Sequence, residues 1–390
     1  MSPLSSRTRI ALATALAATL AVGPVAVSQA VAAPPAASAR QETGPDAGAL
    51  REALAGLPNA DTTAALVRVG GKGPDWHGSA GVHDLVSGRP ADPDARFRAG
   101  SVTKVFTAAT VLRLAAEGKV DLNRPVRHYL PADIPASYGT VTVRQLLNHT
   151  HGIPSPDFPG TNPSEWYEHR FDVHTPRAMV ASATSPAKEK ERTGPGTVQH
   201  YTNIGYTIAG LLIEKVSGTS YEEAVARRVL RPLGLRDSYF PGGDPRIAGP
   251  HNHGYQVFPK PDGSTELRDV SVWGTTDGWA AGDLVSTTAD LERFLKALFR
   301  GKAVRGPLLE EMFTVPDIAG ATMSAGLQRF DAGGGQILWL KTGGRWGYNA
   351  VIAAPRDLSR TLVYSVNSTD AKGKGMNPTA ERVLRAAFSR

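Results

Sequence analysis

Ser101-Val102-Thr103-Lys104, Tyr201-Thr202-Asn203 and Lys341-Thr342-Gly343 between them supply the groups that acyl transfer needs. Ser101 offers a nucleophilic hydroxyl, and Lys104 and Tyr201 can move its proton. Asn203 can hydrogen-bond an amide, and Lys341 with Thr342 can hold an anionic end of a substrate. A serine hydroxyl is a weak nucleophile at neutral pH unless a neighbouring base activates it, so the reading depends on three remote stretches meeting in space. Each has an ordinary explanation when taken singly: Ser101 as a helix cap, Tyr201 as a core tyrosine beside a capping Asn203, and 341–343 as a strand end. A second Ser-x-x-Lys occurs at Ser185-Pro186-Ala187-Lys188, where a proline and a charged run leave no apolar helix to fix the pair. Tyr-x-Asn and Lys-Thr-Gly each occur once. Their joint occurrence in this order is the signal.

The surrounding elements fit that role. Ser101 precedes an apolar helix over 105–118 closed by Gly118; on a helix, positions i and i+3 share a face, which sets Lys104 beside Ser101. A helix N-terminus also turns unpaired N–H groups toward an oxyanion. Residues 203–216 read as a second apolar helix ending at Gly218, and 337–340 as an apolar run ending at Lys341. Elsewhere the pattern predicts a helix over 46–57 capped by Asp46, and strands over 62–69 and 76–85. A helix opens at 141–147 with Thr142 and Gln145 as a capping box. Helices follow over 221–230 and 288–299, a loop-rich stretch over 249–282, and a meander over 324–330, 336–341, 348–354 and 361–366 before a last helix at 379–388. The class is α+β: an antiparallel sheet flanked by helices from 45–100 and 270–390, a mostly helical domain from 101–269, and a site in the cleft between them.

Composition narrows the function. At 41% hydrophobic and 20% charged residues the chain can build a real core. The absence of cysteine removes disulfides, thiolate catalysis and Cys-ligated zinc together. The net charge of +7 comes without a long Lys/Arg run, so no nucleic-acid partner is expected. His149-Thr150-His151 and His251-Asn252-His253 have a spacing that could bind a metal, but no His-Glu-x-x-His helix or carboxylate pattern accompanies them. No phosphate-binding loop or paired-glycine dinucleotide fingerprint exists. No metal and no cofactor are expected. Residues 1–32 read as a secretory signal: Arg7 and Arg9, an apolar run over 10–22 broken by Gly23-Pro24, and Ala30-Val31-Ala32 as a cleavage site. Residues 33–44 read as a flexible lead-in. The expectation is a secreted protein without a membrane anchor after cleavage.

With these words in place the chain resembles the penicillin-recognising serine hydrolases of the β-lactamase/transpeptidase-like superfamily. It is most similar to secreted Streptomyces-type serine D-alanyl-D-alanine carboxypeptidases, kin of class C β-lactamases and related esterases. Supporting stretches are 97–104, 143–153, 231–235 and 282–287. The resemblance implies an acyl-enzyme on Ser101, with Lys104 or Tyr201 as the base and Asn203, Lys341, Thr342 and Gly343 binding substrate. It also implies an oxyanion hole from the backbone N–H groups of Ser101 and Gly344. Partners would be a small peptide, ester or β-lactam, including cell-wall peptidoglycan precursors. Two departures stand out. Lys341 takes a position where these carboxypeptidases usually carry histidine, and Gln328 and Gly344 take positions where they place the Arg and Thr that grip a C-terminal carboxylate. Arg345 and Arg329 are the candidates to replace that grip, and Trp273 to line the cleft with Trp346 and Tyr348. The rivals to a carboxypeptidase are a β-lactamase, an esterase of the same superfamily, and a non-catalytic cell-wall scaffold.

Overall fold

A computed structural model describes residues 44–388 other than 159, 161, 261 and 374. The expected signal segment, and all of the lead-in but its last residue, lie outside the described residues. The strands, in chain order, are β1 (Thr62–Gly71), β2 (Trp76–Gly81), β3 (Phe97–Arg98), β4 (Tyr255–Pro259), β5 (Thr265–Asp269), β6 (Val285–Ser286), β7 (Gln328–Asp331), β8 (Ile337–Arg345), β9 (Tyr348–Ala354) and β10 (Arg360–Ser368). The α-helices are α1 (Ala47–Ala53), α2 (Thr103–Ala116), α3 (Val143–Leu147), α4 (Pro163–Glu168), α5 (Pro176–Ala183), α6 (Ile204–Ser217), α7 (Tyr221–Val225), α8 (Thr288–Phe299), α9 (Pro307–Glu310) and α10 (Pro378–Phe388).

Six strands make one antiparallel sheet in the order β2-β1-β10-β9-β8-β7. Successive side chains of a strand point to opposite faces, and here both faces are covered. Ala65, Val67, Val351, Ala353, Leu362, Tyr364 and Val366 pack with Leu50, Val383 and Ala387 of α1 and α10. Leu66, Ala350, Ile352 and Val363, one residue out of phase, join Leu291, Phe294 and Leu298 of α8 and the helical layer. That double burial explains why β9 and β10 read as continuous apolar runs and not as alternating ones. The first and last strands of the sheet domain meet directly, with Ala65 opposite Val366.

The helical layer is built on α2 and α6. Every residue from Thr103 to Leu112 is buried, as is every residue from Ile204 to Ile213, so these apolar helices sit inside the layer instead of on its surface. Phe106 of α2 stacks on Phe294 of α8 with ring centroids 3.8 Å apart, tying this layer to the one that covers the sheet.

Three expectations needed adjustment. The second strand stops at Gly81 and not near residue 85, because Gly81 turns with φ +88°. β7 begins at Gln328, since residues 324–327 fold back on α2: Gly326, at φ +91°, leaves room for only 3.1 Å between an added Cβ and the Cβ of Ala108. The stretch read as loop over 249–282 contains the β4–β5 hairpin. Val257 N of β4 donates to Thr369 O just past β10 at 2.7 Å, so the hairpin leans on the end of the sheet although it lies in sequence among the helices.

Candidate active site

β3, paired with β6, delivers the chain into a short 3-10 turn, Gly100–Val102, that runs straight into α2. Thr103 locks this entry: its Oγ1 donates to Gly100 O at 2.6 Å and accepts from Leu284 N at 3.0 Å. One turn on, Lys104 Nζ lies 3.1 Å from Ser101 Oγ, 2.7 Å from Asn203 Oδ1 and 2.8 Å from Ala281 O. The lysine is fully buried with no carboxylate among these partners. Burial, reinforced by the positive charges of Lys341 and Lys372, holds its pKa well below the usual lysine range, which favours the free amine. From the other side Tyr201 OH donates to Ser101 Oγ at 2.8 Å. Loss of water around the phenol pushes its pKa up to about 12, opposed by the bond to Ser101. With 37% of the residue still open to the cleft, solvent at the ring works against that rise.

The parity of β8 places the third word. Trp339 faces the helical layer and Leu340 the α1–α10 side, so Lys341, Gly343 and Arg345 face the helices. Lys341 Nζ donates to Thr342 O at 2.8 Å and stands 5.0 Å from the centre of the Tyr201 ring; burial lowers its pKa to about 8. Gly343 presses on the nucleophile's backbone: a Cβ there would lie 1.9 Å from Ala99 O and 3.0 Å from Ser101 N. Trp346-Gly347 is a two-residue turn, which makes Arg345–Tyr348 the hydrogen-bonded closing pair of the hairpin and Gly344–Asn349 a non-bonded pair. The Gly344 N–H therefore points away from β9. β7 pairs with β8 only as far as Leu340, so that edge is free of the sheet there. A Cβ on Gly100 would come within 2.6 Å of Gly344 N, so the backbone of β8 at Gly344 packs closely against the turn that carries Ser101.

These groups open on a cleft of about 400 Å³ bordered by Ser101, His149, Tyr201, Gln328, Lys341, Thr342, Gly344 and Lys372, with no carboxylate among the described residues of its wall. Larger hollows, about 730 Å³ beside Tyr239 and about 840 Å³ beside Phe388, hold no comparable pairing of nucleophile and base.

The structure thus brings together Ser101, Lys104, Tyr201, Asn203, Lys341, Thr342, Gly343 and Gly344. It does not bring Trp273 or Arg345 to the cleft. Trp273 is buried in a separate cluster with Phe258, Val270 and Trp346, and stacks on Trp346 at 4.9 Å. Tyr348 is also core, its hydroxyl donating to Asn252 O. Arg345 is buried and fully engaged, bidentate to Asp277 at 2.8 and 3.0 Å and donating to Gly274 O; it cannot grip a substrate carboxylate without leaving Asp277 unpaired.

The family model for Beta-lactamase matches residues 50–385. The chain belongs to the beta-lactamase family. Within it the protein is a serine hydrolase of the β-lactamase and penicillin-binding superfamily. It is similar to a D-stereospecific amidohydrolase from Streptomyces sp., at 30% identity and TM-score 0.75 over 88% of this chain and 99% of that one. It is also similar to a D-amino acid amidase from Ochrobactrum anthropi, at 25% identity and TM-score 0.72 over 87% of this chain and 98% of that one. Penicillin-binding protein 4* of Bacillus subtilis is 27% identical over 309 residues, which span 76% of this chain and 66% of that protein. The Staphylococcus aureus protein flp is matched over 41% of its length. Under two thirds of these two curated relatives is therefore represented.

Sequence reasoning missed His149 and Lys372 as wall residues of the cleft, while Gln328 lines it where the resemblance places a substrate-gripping position. Lys372 reaches the site only because the loop after β10 returns to β8, where its Nζ donates to Gly344 O at 3.1 Å. No local pattern marks that return. His149 does carry a signal in the sequence, two histidines one residue apart behind a capped helix.

Proposed function

We propose that the protein cleaves amide bonds of D-configured residues through an acyl-enzyme on Ser101, as a D-stereospecific amidohydrolase or D-peptidase. The observation that carries this is the single oxygen Ser101 Oγ within hydrogen-bond reach of both Lys104 and Tyr201. D-specificity is drawn from the two structural relatives named for it.

Lys104, as the free amine, takes the proton of Ser101 while Oγ attacks the carbonyl. The Ser101 and Gly344 amides hold the oxyanion, a contribution in which one lost donor costs about 10²–10³ in rate. Tyr201, still a phenol at neutral pH, gives its proton to the leaving nitrogen. The resulting phenolate lies near two cations, with the Nζ atoms of Lys104 and Lys341 each 5.0 Å from its ring centre. It takes a proton from the water that attacks the acyl-enzyme, and Lys104 returns its own proton to Ser101 Oγ. Protons and bonds balance over the cycle. Because the three groups act together, a pH profile reports the set and not one member. Replacing Tyr201 by Phe is expected to lower the acylation rate on amides by about 10²–10³-fold and the acylation burst on a nitrophenyl ester, whose leaving group needs no proton, by far less, while deacylation slows for both.

A second reading, carboxypeptidase action on peptides ending in D-alanine, is favoured by Lys341 and Lys372 on a cleft wall without carboxylates among its described residues. Its pH signature follows from Lys341, which is charged below about 8 and neutral above. KM for a substrate with a free C-terminal carboxylate should climb above pH 8, while KM for the corresponding amide stays flat. Turnover of D- and L-phenylalanine amide and of a tripeptide ending in D-Ala-D-Ala, with intact mass after penicillin exposure, tests the assignment. Preference for L-amides, or no turnover and no adduct at Ser101, overturns it.

A further inference from the structure

The histidines of His149-Thr150-His151 belong neither to a metal-holding cluster among the described residues nor to the proton relay, yet both are buried against the Tyr201 segment. His149 is 3% exposed and holds φ +61°, a left-handed conformation that costs a non-glycine residue energy. Its ring lies 4.6 Å from that of Tyr201 and 5.3 Å from that of Tyr206. Its Nδ1 is buried with no partner among the described residues. His149 O accepts the N–H of His200, the residue before Tyr201, at 2.9 Å.

His151 grips the next residue. Its Nδ1 accepts from Ile153 N at 3.0 Å, which puts the ring proton on Nε2, where it donates to Thr202 Oγ1 at 3.2 Å. Gly205 makes this possible: a Cβ there would sit 2.7 Å from His151 Nε2. A second proton, on Nδ1, would face the Ile153 N–H. Burial opposes it, lowering the His151 pKa to about 4.

We propose that His149 and His151 are positioning residues that set Tyr201 and Asn203 against Ser101, His149 through the face of the phenol ring and His151 through the Thr202 hydroxyl. The proposal rests on the Ser101–Lys104–Tyr201 reading above. Neither imidazole exchanges a proton with the substrate; that of His149 acts by shape, and that of His151 by a fixed hydrogen bond to Thr202. The Tyr201 ring, open to the cleft on one side, has His149 as a backing.

The discriminating experiment compares His149→Phe with His149→Ala on a D-amino-acid amide. Phenylalanine keeps a flat ring against Tyr201 and has no proton to transfer. It is expected to retain kcat within about threefold, while alanine loses tenfold or more with KM little changed. A phenylalanine variant as impaired as the alanine variant would make His149 a proton carrier and overturn the proposal, as would an alanine variant with unchanged kcat. If His149→Ala does not fold, His149→Leu takes its place. For the second half, His151→Asn, Thr202→Val and the double variant form a cycle in which the two losses should not add; additive losses reject the clamp. Ser101→Ala measured in parallel separates the layers. Residual turnover there refutes the acyl-enzyme reading itself, whereas an inactive Ser101→Ala with an unaffected His149→Ala refutes only the positioning role.

Discussion

Alanine at position 101 should reduce kcat by about 10⁴-fold or more, the scale on which acyl-transfer enzymes suffer when the nucleophile is lost. No nearby hydroxyl can take over. Thr103 Oγ1 is committed to Gly100 O and Leu284 N. Thr342 borders the cleft, but it is the Ser101 hydroxyl that stands against Lys104. Tyr201 holds its hydroxyl toward the place where Oγ was and has no base of its own in contact. Steady-state turnover of an activated D-amino-acid ester, with intact mass to look for an acyl adduct, reads the outcome. Rates near those of the unmodified enzyme would show that the bond is broken elsewhere. Fold stability should barely change, because Ser101 contributes no apolar packing to the core.

Gly343→Ala is expected to be nearly as damaging without touching any reacting group. Its Cβ would meet Ala99 O at 1.9 Å and Ser101 N at 3.0 Å. Both are backbone atoms, so no side chain can swing aside and the strand must retreat from the nucleophile. That retreat moves the Gly344 amide off the oxyanion, and a loss of about 10²–10³ in kcat follows. The enzyme should still fold, since β8 keeps its ladder with β9 on the other edge. Gly375→Ala, which meets nothing within 4 Å, is the matched control and should be neutral. If both variants behaved alike, the close approach of β8 to the nucleophile would be irrelevant to catalysis.

Much of this architecture was legible because local and global preferences agree. α8 runs over 288–299 as the amphipathic period predicts, and the structure supplies its cap in Thr287, whose Oγ1 accepts from Asp290 N. The Thr142–Gln145 capping box is present in full. Lys104 follows Ser101 by three residues, and one helical turn suffices to join them. What escaped was decided by groups far apart in sequence. Arg345 looks like a free anion receptor until Asp277, 68 residues earlier, is seen to hold it. Trp273 sits in a loop-rich stretch that resembles a cleft wall, but Trp346 covers its face. The β4–β5 hairpin has strands of only five residues, one of them alternating polar residues at its surface, and its place is fixed by a bond to Thr369 that no local pattern encodes.

The pairing of β1 with β10 joins positions about three hundred apart, as in the bond from Thr63 to Asn367. During synthesis, therefore, β1 must wait for about three hundred further residues to be made before its central neighbour exists. Until then its inner edge is an unpaired template for association with other chains, so closure of the sheet waits on the arrival of β10.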